Sequence, residues 1–245
     1  MAVARIIGPG RAGGSFAAAL ERVGWDLAAS VARGGDVGAA AHGVELLVIA
    51  TPDAAIAEVA RAVEPDAGAA VVHLSGSLGL DVLAPHPRRG AIHPLASLPN
   101  AEIGAARLAA GTWFAVAGDP VVEQVVADLG GRSFAVADGD RAAYHAAACI
   151  ASNHLVALLG QVERGAGTAG VPLDAYLDLA RATLDNVAAI GPAAALTGPA
   201  ARGDRATIER HRAALDPGEL RAYDALVDLA RRLVDGGRGE PTEGR

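Results

Sequence analysis

The feature that most constrains this chain is a glycine-rich turn close to its start. Gly8-Pro9-Gly10-Arg11-Ala12-Gly13 follows an apolar run, Val3–Ile7, and leads into Ala-rich helical sequence. A G-x-G-x-x-G string between a strand and a helix has a mechanical meaning. Gly8 permits the tight turn, Gly10 lets the backbone approach a pyrophosphate, and Gly13 lets helix and strand pack closely. The helix start then offers unpaired N–H groups and a positive dipole end to phosphates. Such a string alone is weak evidence. Completed as a βαβ unit, it makes Gly8, Gly10, Arg11 and Gly13 a dinucleotide site.

The following segments complete that unit. Gly13–Val23 reads as a helix, Leu27–Val31 as a second strand, and Val44–Ala50 as a third that is apolar enough to be covered on both faces. Ala54–Val63 is helical and Ala69–Leu74 a fourth strand. Short apolar runs at Ala91–His93, Thr112–Ala117 and Ser133–Val136 follow, with a helix over Pro120–Leu129. Alternating strands and helices predict an α/β fold, a Rossmann-like, doubly wound and mostly parallel sheet.

The rhythm changes near Asp140. Arg141–Glu163 has helical apolar spacing, with Gly165 and Gly167 at its end. Pro172 suits the first turn of Leu173–Ile190. Asp204 can cap Arg205–Leu215, and Asp216-Pro-Gly-Glu219 resembles a capping box before Leu220–Val234. The expected organisation is a dinucleotide-binding domain over 1–139, a smaller all-helical substrate and dimerisation domain over 140–235, and a disordered tail over 236–245.

Ligands of such sheets bind beyond the carboxyl ends of the strands. At the end of the second strand an acid selects NAD, whereas an arginine accommodates the 2′-phosphate of NADP. Arg33 occupies that point and no acid precedes Asp36, which favours NADP(H). Thr51-Pro52-Asp53 ends the third strand and would border the cofactor, with Asp53 capping the next helix. His73-Leu-Ser75-Gly76-Ser77 ends the fourth; Ser75 and Ser77 are either substrate donors or parts of a Gly/Ser turn. His93 could donate a proton, bind a carboxylate, or hold a proline-containing turn. Tyr144-His145 starts an Ala-rich helix on which His145, Cys149 and Asn153 recur at i, i+4 and i+8, a one-face stripe that needs a partner if buried. Arg202 could grip a carboxylate with its planar fork.

Composition excludes several classes. All 21 basic residues are arginine, so a Walker phosphate loop, pyridoxal phosphate and Schiff-base chemistry lack their amine. A net charge of −7 gives no basic face for nucleic acid. No apolar run approaches the roughly 20 residues of a membrane span, and the start runs directly into a strand rather than a signal peptide. The single Cys149 excludes an internal disulfide and a cysteine zinc site; no metal is expected. A cytoplasmic location is the default.

Six separated segments across about residues 4–233 carry a resemblance. They are GPGRAGGSFAAAL, ATPDAAIAEVA, HLSGSLGLDVL, IHPLASLP, YHAAACIASNHLVAL and LTGPAARGDRATIERH. Together they resemble a family of short bacterial predicted oxidoreductases that join a Rossmann-like domain to a helical domain of unknown function. That family is similar in architecture to 6-phosphogluconate dehydrogenases, pyrroline-5-carboxylate reductases and ketopantoate reductases. The resemblance implies NADP(H) binding and a helical domain that dimerises and closes the site. It also implies that His145 stands where ketopantoate reductase-like enzymes carry a catalytic lysine. Cys149 and Asn153 then stand where those enzymes carry two asparagines. Ser75 falls where the phosphogluconate type has a substrate-binding Ser-Gly motif.

The resulting expectation is an NADP(H)-dependent reductase of a small carboxylate-bearing carbonyl or alcohol, for example a 2-oxo acid such as ketopantoate. His145 would move the proton, Asn153 and Ser75 would orient the reacting oxygen, and Arg202, His93 and Ser77 would hold substrate. Two alternatives stand beside it: an imine reductase of the pyrroline-carboxylate type, and a catalytically silent NADP(H)-binding sensor or partner protein. The expected assembly is a homodimer through the helical domain.

Overall fold

The computed structural model describes residues 2–236, which form two compact units that divide between Ser152 and Asn153. The change of sequence rhythm near residue 140 thus falls a dozen residues earlier. The first stretch of the long helix, carrying Tyr144 and His145, is part of the first unit.

That unit is built on seven strands: β1 (Val3–Ile7), β2 (Asp26–Leu27), β3 (Leu46–Ile49), β4 (Ala70–His73), β5 (Arg89–Pro94), β6 (Trp113–Gly118) and β7 (Arg132–Ala135). Their order in the sheet is β2-β1-β3-β4-β5-β6-β7. Side chains alternate between the faces, as a period of two requires. Ala4, Ile6, Leu46, Val48 and Val72 join one apolar cluster, while Ile7, Leu47, Ile49 and Val71 join another on the opposite face. The first cluster is closed by α1 (Arg11–Arg22), α3 (Ala101–Leu108) and α4 (Val121–Asp128). The second is closed by α2 (Asp53–Ala62) and Leu83.

The sheet is mostly parallel, as expected, and two features depart from the sequence expectation. The second strand is only Asp26–Leu27; the chain then leaves the ladder and returns for a single bridge between Val31 and Ile7. An additional helix, α3, lies between β5 and β6. It covers α1 instead of running back along the sheet, so β6 pairs antiparallel to β5. The remaining ladders are parallel. The α1–α3 approach depends on Gly104, whose side chain would come within 2.0 Å of Ser15 Oγ.

Within the second unit the described elements are helical. The long helix begins as α5 (Arg141–Cys149), widens into a π-helical turn over Ile150–His154, and continues as α6 (Leu155–Ala169). It passes through Gly165 and Gly167 and stops at Gly170, whose left-handed φ of 68° ends it. The following helix, α7 (Leu173–Ala195), is interrupted at Gly191 (φ 79°) before Pro192, so its first part ends at Ile190. The short α8 (Pro199–Arg202) and α9 (Arg205–Ala214) come next, with Asp204 capping α9 by accepting from Thr207 N at 3.0 Å. Before α10 (Leu220–Gly236), Asp216 accepts from Gly218 N, but Glu219 pairs with Arg164 of α6 instead of closing a capping box. The expected tail lies outside the described residues beyond Gly236.

The stretch Asp138–Ala169 is 32 residues long, with a mean hydropathy of 1.3 in its most apolar 18-residue window, and no residue of that window is buried. By length and composition it could cross a membrane, which corrects the expectation that no such segment exists. Interspersed glycine and polar residues hide it from a search for uninterrupted apolar runs.

The close approach of α3 to α1 is testable. Gly104→Ala should lower stability by about 2–3 kcal/mol through overpacking, read as a lower urea midpoint. Ser15→Gly on that background should recover part of the loss.

Candidate active site

In sheets of this kind a ligand crevice lies where strand order reverses, which here is beyond the carboxyl ends of β1 and β3. The glycine turn there is shaped by contact. Gly8 has φ 87°, and its N–H donates to Val31 O at 2.9 Å. A Cβ on Gly8 would lie 2.9 Å from Ala50 O, and one on Gly13 only 2.3 Å from Gly8 O. Gly10 is different: nothing lies within 4 Å of where its Cβ would be. One glycine therefore faces open space while its neighbours are locked against the sheet.

Other groups suit a dinucleotide. Thr51 Oγ1 is buried without a hydrogen-bond partner among the described residues. Pro52 directly precedes α2 without any side-chain cap. Arg11 and Arg33 are exposed, and Arg33 makes no ion pair among the described residues. Asp36 is occupied locally, accepting from Gly38 N at 2.9 Å, so the nearest acid is engaged in its own turn. An open glycine, an orphaned hydroxyl and an uncommitted arginine fit a phosphorylated dinucleotide.

Asp53 does not cap its helix. Its Oδ2 accepts from the hydroxyls of Ser75 at 2.7 Å and Ser77 at 2.8 Å. Ser75 Oγ also accepts from the N–H groups of Ser77 and Leu78. As placed, Ser75 spends its proton on Asp53 and holds its turn. One carboxylate thus ties the loop after β3 to the loop after β4.

That second loop carries a cluster of imidazoles. His73, fully buried, accepts from Ser75 N through Nδ1, so its Nε2 donates to Gly79 O at 3.3 Å. His93 shares a 2.6 Å hydrogen bond between Nδ1 and the Tyr144 hydroxyl. Its ring meets that of His145 edge to face, with centroids 5.8 Å apart. Both rings close over Gly76, where a Cβ would lie 2.7 Å from His145 Cδ2 and 2.9 Å from His93 Nε2. Only a glycine allows this approach. His145 Nε2 also lies 3.9 Å from Cys149 Sγ, one helical turn on.

Ser75, Ser77, His93 and His145 are therefore brought together. Asn153 is not part of this cluster's described geometry: it begins the second unit, exposed on the π-helical turn whose wider winding interrupts the i, i+4, i+8 stripe after Cys149. Arg202, exposed at the end of α8, also belongs to the second unit. The sequence did not single out Tyr144 as a partner of His93, nor Asp53 as a clasp. Nor did it single out Arg141, which is fully buried. The spacing of Arg141, Tyr144 and His145 at i, i+3 and i+4 was the available signal.

Two stretches of the chain match described domains. Residues 35–99 match a Rossmann-like domain, and residues 113–230 match the domain of unknown function DUF2520. The chain joins a Rossmann-like domain to a DUF2520 domain. Comparison with curated proteins returned no match. Among solved structures, the chain is similar to BF3122 from Bacteroides fragilis, assigned as an NADP oxidoreductase. The TM-score is 0.79 at 20% identity, covering 94% of this chain and 98% of that one. It is also similar to a reductive aminase from Aspergillus terreus in complex with NADPH and ethyl levulinate, with TM-score 0.68 and 18% identity over 95% and 94%. A third is 1-pyrroline-5-carboxylate reductase from Streptococcus pyogenes, with TM-score 0.62 and 15% identity over 94% and 98%. These likenesses establish a shared fold.

The cluster's titration follows from its burial. His73 and His93 are both pushed from the ordinary 6.5 down to about 4, chiefly because burial disfavours the charged ring. The bond to Gly79 partly opposes this at His73, and the charge of Arg141 adds to it at both rings. Burial likewise raises Tyr144 to about 12, against the pull of Arg141. Between about pH 6.5 and 4 the unfolded chain binds protons that the folded chain refuses, so stability falls as pH drops through that window. The upper limit is roughly 3 kcal/mol per ring. Urea midpoints from pH 7.5 to 4.5 should fall accordingly; a flat profile would mean that neither ring is held neutral.

Proposed function

We propose that this chain is an NADP(H)-dependent reductase of a small C=N or C=O compound. The observation that carries the reading is the Asp53 clasp, which ties the loop after β3 to a loop carrying one buried and two half-buried imidazoles. The neighbours with this fold support it, and the reductive aminase and the pyrroline-carboxylate reductase favour C=N over the ketopantoate-like alternative. When bound, the reduced cofactor supplies a hydride to the carbon of that bond. Gly8, Gly10 and Gly13 would receive its pyrophosphate with the N-terminus of α1, Thr51 would give its free hydroxyl, and Arg33 would pair with the 2′-phosphate.

The remaining chemistry is a proton delivered to the substrate nitrogen or oxygen. Near neutral pH, His93 stays uncharged and Tyr144 keeps its proton, so the pair serves as a hydrogen-bonded wall. His145, against that wall and over Gly76, is the group we assign as proton donor. Asp53 and Ser75 shape the floor beneath it. The protein would act in the cytoplasm.

Titration separates the parts of this reading. NADPH should bind at least about tenfold more tightly than NADH, and Arg33→Ala should remove the difference. His145→Ala should keep NADPH affinity while lowering turnover on a panel of cyclic imines and 2-oxo acids by about 10²-fold or more. Full activity in that variant would sink the assignment. Tight NADPH binding without oxidation by any member of the panel would favour a silent binding protein.

We also propose a homodimer formed by the helical unit. Val156, Leu179, Leu184 and Ile190 are each more than half exposed, which is unusual for apolar side chains recurring along helices of a soluble protein. Light scattering should give twice the 24.4 kDa chain mass. A monomer mass, or a mass seen only with detergent, would overturn this.

A further inference from the structure

We propose that Arg141 is the anion-holding residue of the site, taking the carboxylate of a small 2-oxo or 2-imino acid. This rests on the reductase reading for its choice of ligand and on geometry for the residue.

Arg141 is the first residue of α5 and has no exposed surface. Its Nε donates to Asp138 Oδ1 at 3.1 Å. Both terminal nitrogens, Nη1 and Nη2, are buried without a hydrogen-bond partner among the described residues. Four N–H donors of a rigid planar fork are thus unspent. Asp138 does not balance them: half of its side chain is exposed, and its other oxygen accepts from Leu80 N. A buried cation with unmade hydrogen bonds is unfavourable, and a carboxylate is the group whose two oxygens match the fork.

The position of Arg141 says what would follow. Arg141, Tyr144 and His145 share one face of α5 at i, i+3 and i+4. Tyr144 is bonded to His93, and His93 and His145 enclose Gly76. The other arginines near the crevice, Arg11 and Arg33, are exposed and suit phosphate at the surface. Arg141 and His145 sit one helical turn apart, with Cβ atoms roughly 5–6 Å from each other. A small acid, whose carboxylate adjoins its C=O or C=N, is the ligand that one shared face of α5 suits. The fork is shielded from water, so the ion pair would form in a medium that strengthens it. Entry requires the Gly76–Gly79 turn or α5 to yield, and α5 runs directly into the π-helical turn, an irregularity frequent at functional sites.

The test uses oxamate, an unreducible mimic of a 2-oxo acid, and its neutral ethyl ester. Each is titrated calorimetrically into the full chain, with and without NADPH. Oxamate should bind at least about tenfold more tightly than the ester. Arg141→Met should abolish that preference, while Arg202→Met should preserve it. The ligand-free Arg141→Met chain should also melt at a higher temperature, because an apolar side chain replaces an uncompensated buried charge. A purely structural arginine would give the opposite shift. The proposal is overturned by absence of oxamate binding to the natural chain, by unchanged binding in Arg141→Met, or by a preference lost in Arg202→Met alone. Should Arg141→Met not fold, Arg141→Lys keeps the charge without the fork and should weaken oxamate at least about fivefold at unchanged NADPH affinity; equal oxamate affinity overturns the proposal. Failure of the natural chain to bind NADPH refutes the cofactor reading instead, while the titration without cofactor still reports on Arg141.

Discussion

The first unit depends on how closely its backbone can approach itself where β1 turns into α1. The space that a Gly13 side chain would need is taken by the Gly8 carbonyl, and the space at Gly8 by the Ala50 carbonyl. Three segments therefore meet with no room for a side chain on either glycine. This contact sets the angle at which α1 leaves the sheet, and so the direction of its free N–H groups. It also brings the end of β3 against the glycine turn, which puts Thr51 and Asp53 beside the crevice. The apolar clusters on both faces of the sheet supply most of the stability, but they would tolerate rearrangement that this contact would not.

From Asp53 outward the site is assembled by polar groups that satisfy one another. A carboxylate accepting two serine hydroxyls is a stronger tie than neutral hydrogen bonds of the same length. Its effect is to fix the turn from Ser75 to Gly79, against which the imidazoles pack. The same closeness that orders His73 and His93 also strips their water, and loss of water holds both rings uncharged. Order and neutrality here have one cause.

Much of the fold was legible in the sequence because its signals are local. The glycine turn, the all-apolar β3, and the cap at Asp204 each declare themselves within a few residues. What was not legible depends on distant partners. The helix α3 carries Gly104 in its middle, a poor helix former that is useful only because Ser15 lies opposite. The second strand was overextended because Leu27–Val31 looks like a strand, yet only its start and end find the β1 ladder. Asp53 looked like a cap because aspartate before a helix usually is one; its two serine partners lie 22 and 24 residues away. The i, i+4, i+8 stripe assumed uniform winding, and the π-helical turn ends that after Cys149.

The absence of lysine gives the site its remaining logic. A lysine at the His145 position would bring a proton donor and a cation in one side chain. Here the two roles are separable along α5. The cation is Arg141, one turn earlier, buried and permanently charged. Tyr144, raised to about 12, holds its proton too tightly, and His93, lowered to about 4, does not acquire a second one. Both shifts leave these two neighbours out of the proton delivery proposed for His145. A fixed charge one turn away can orient an acid without competing for that proton, which an amine could not do.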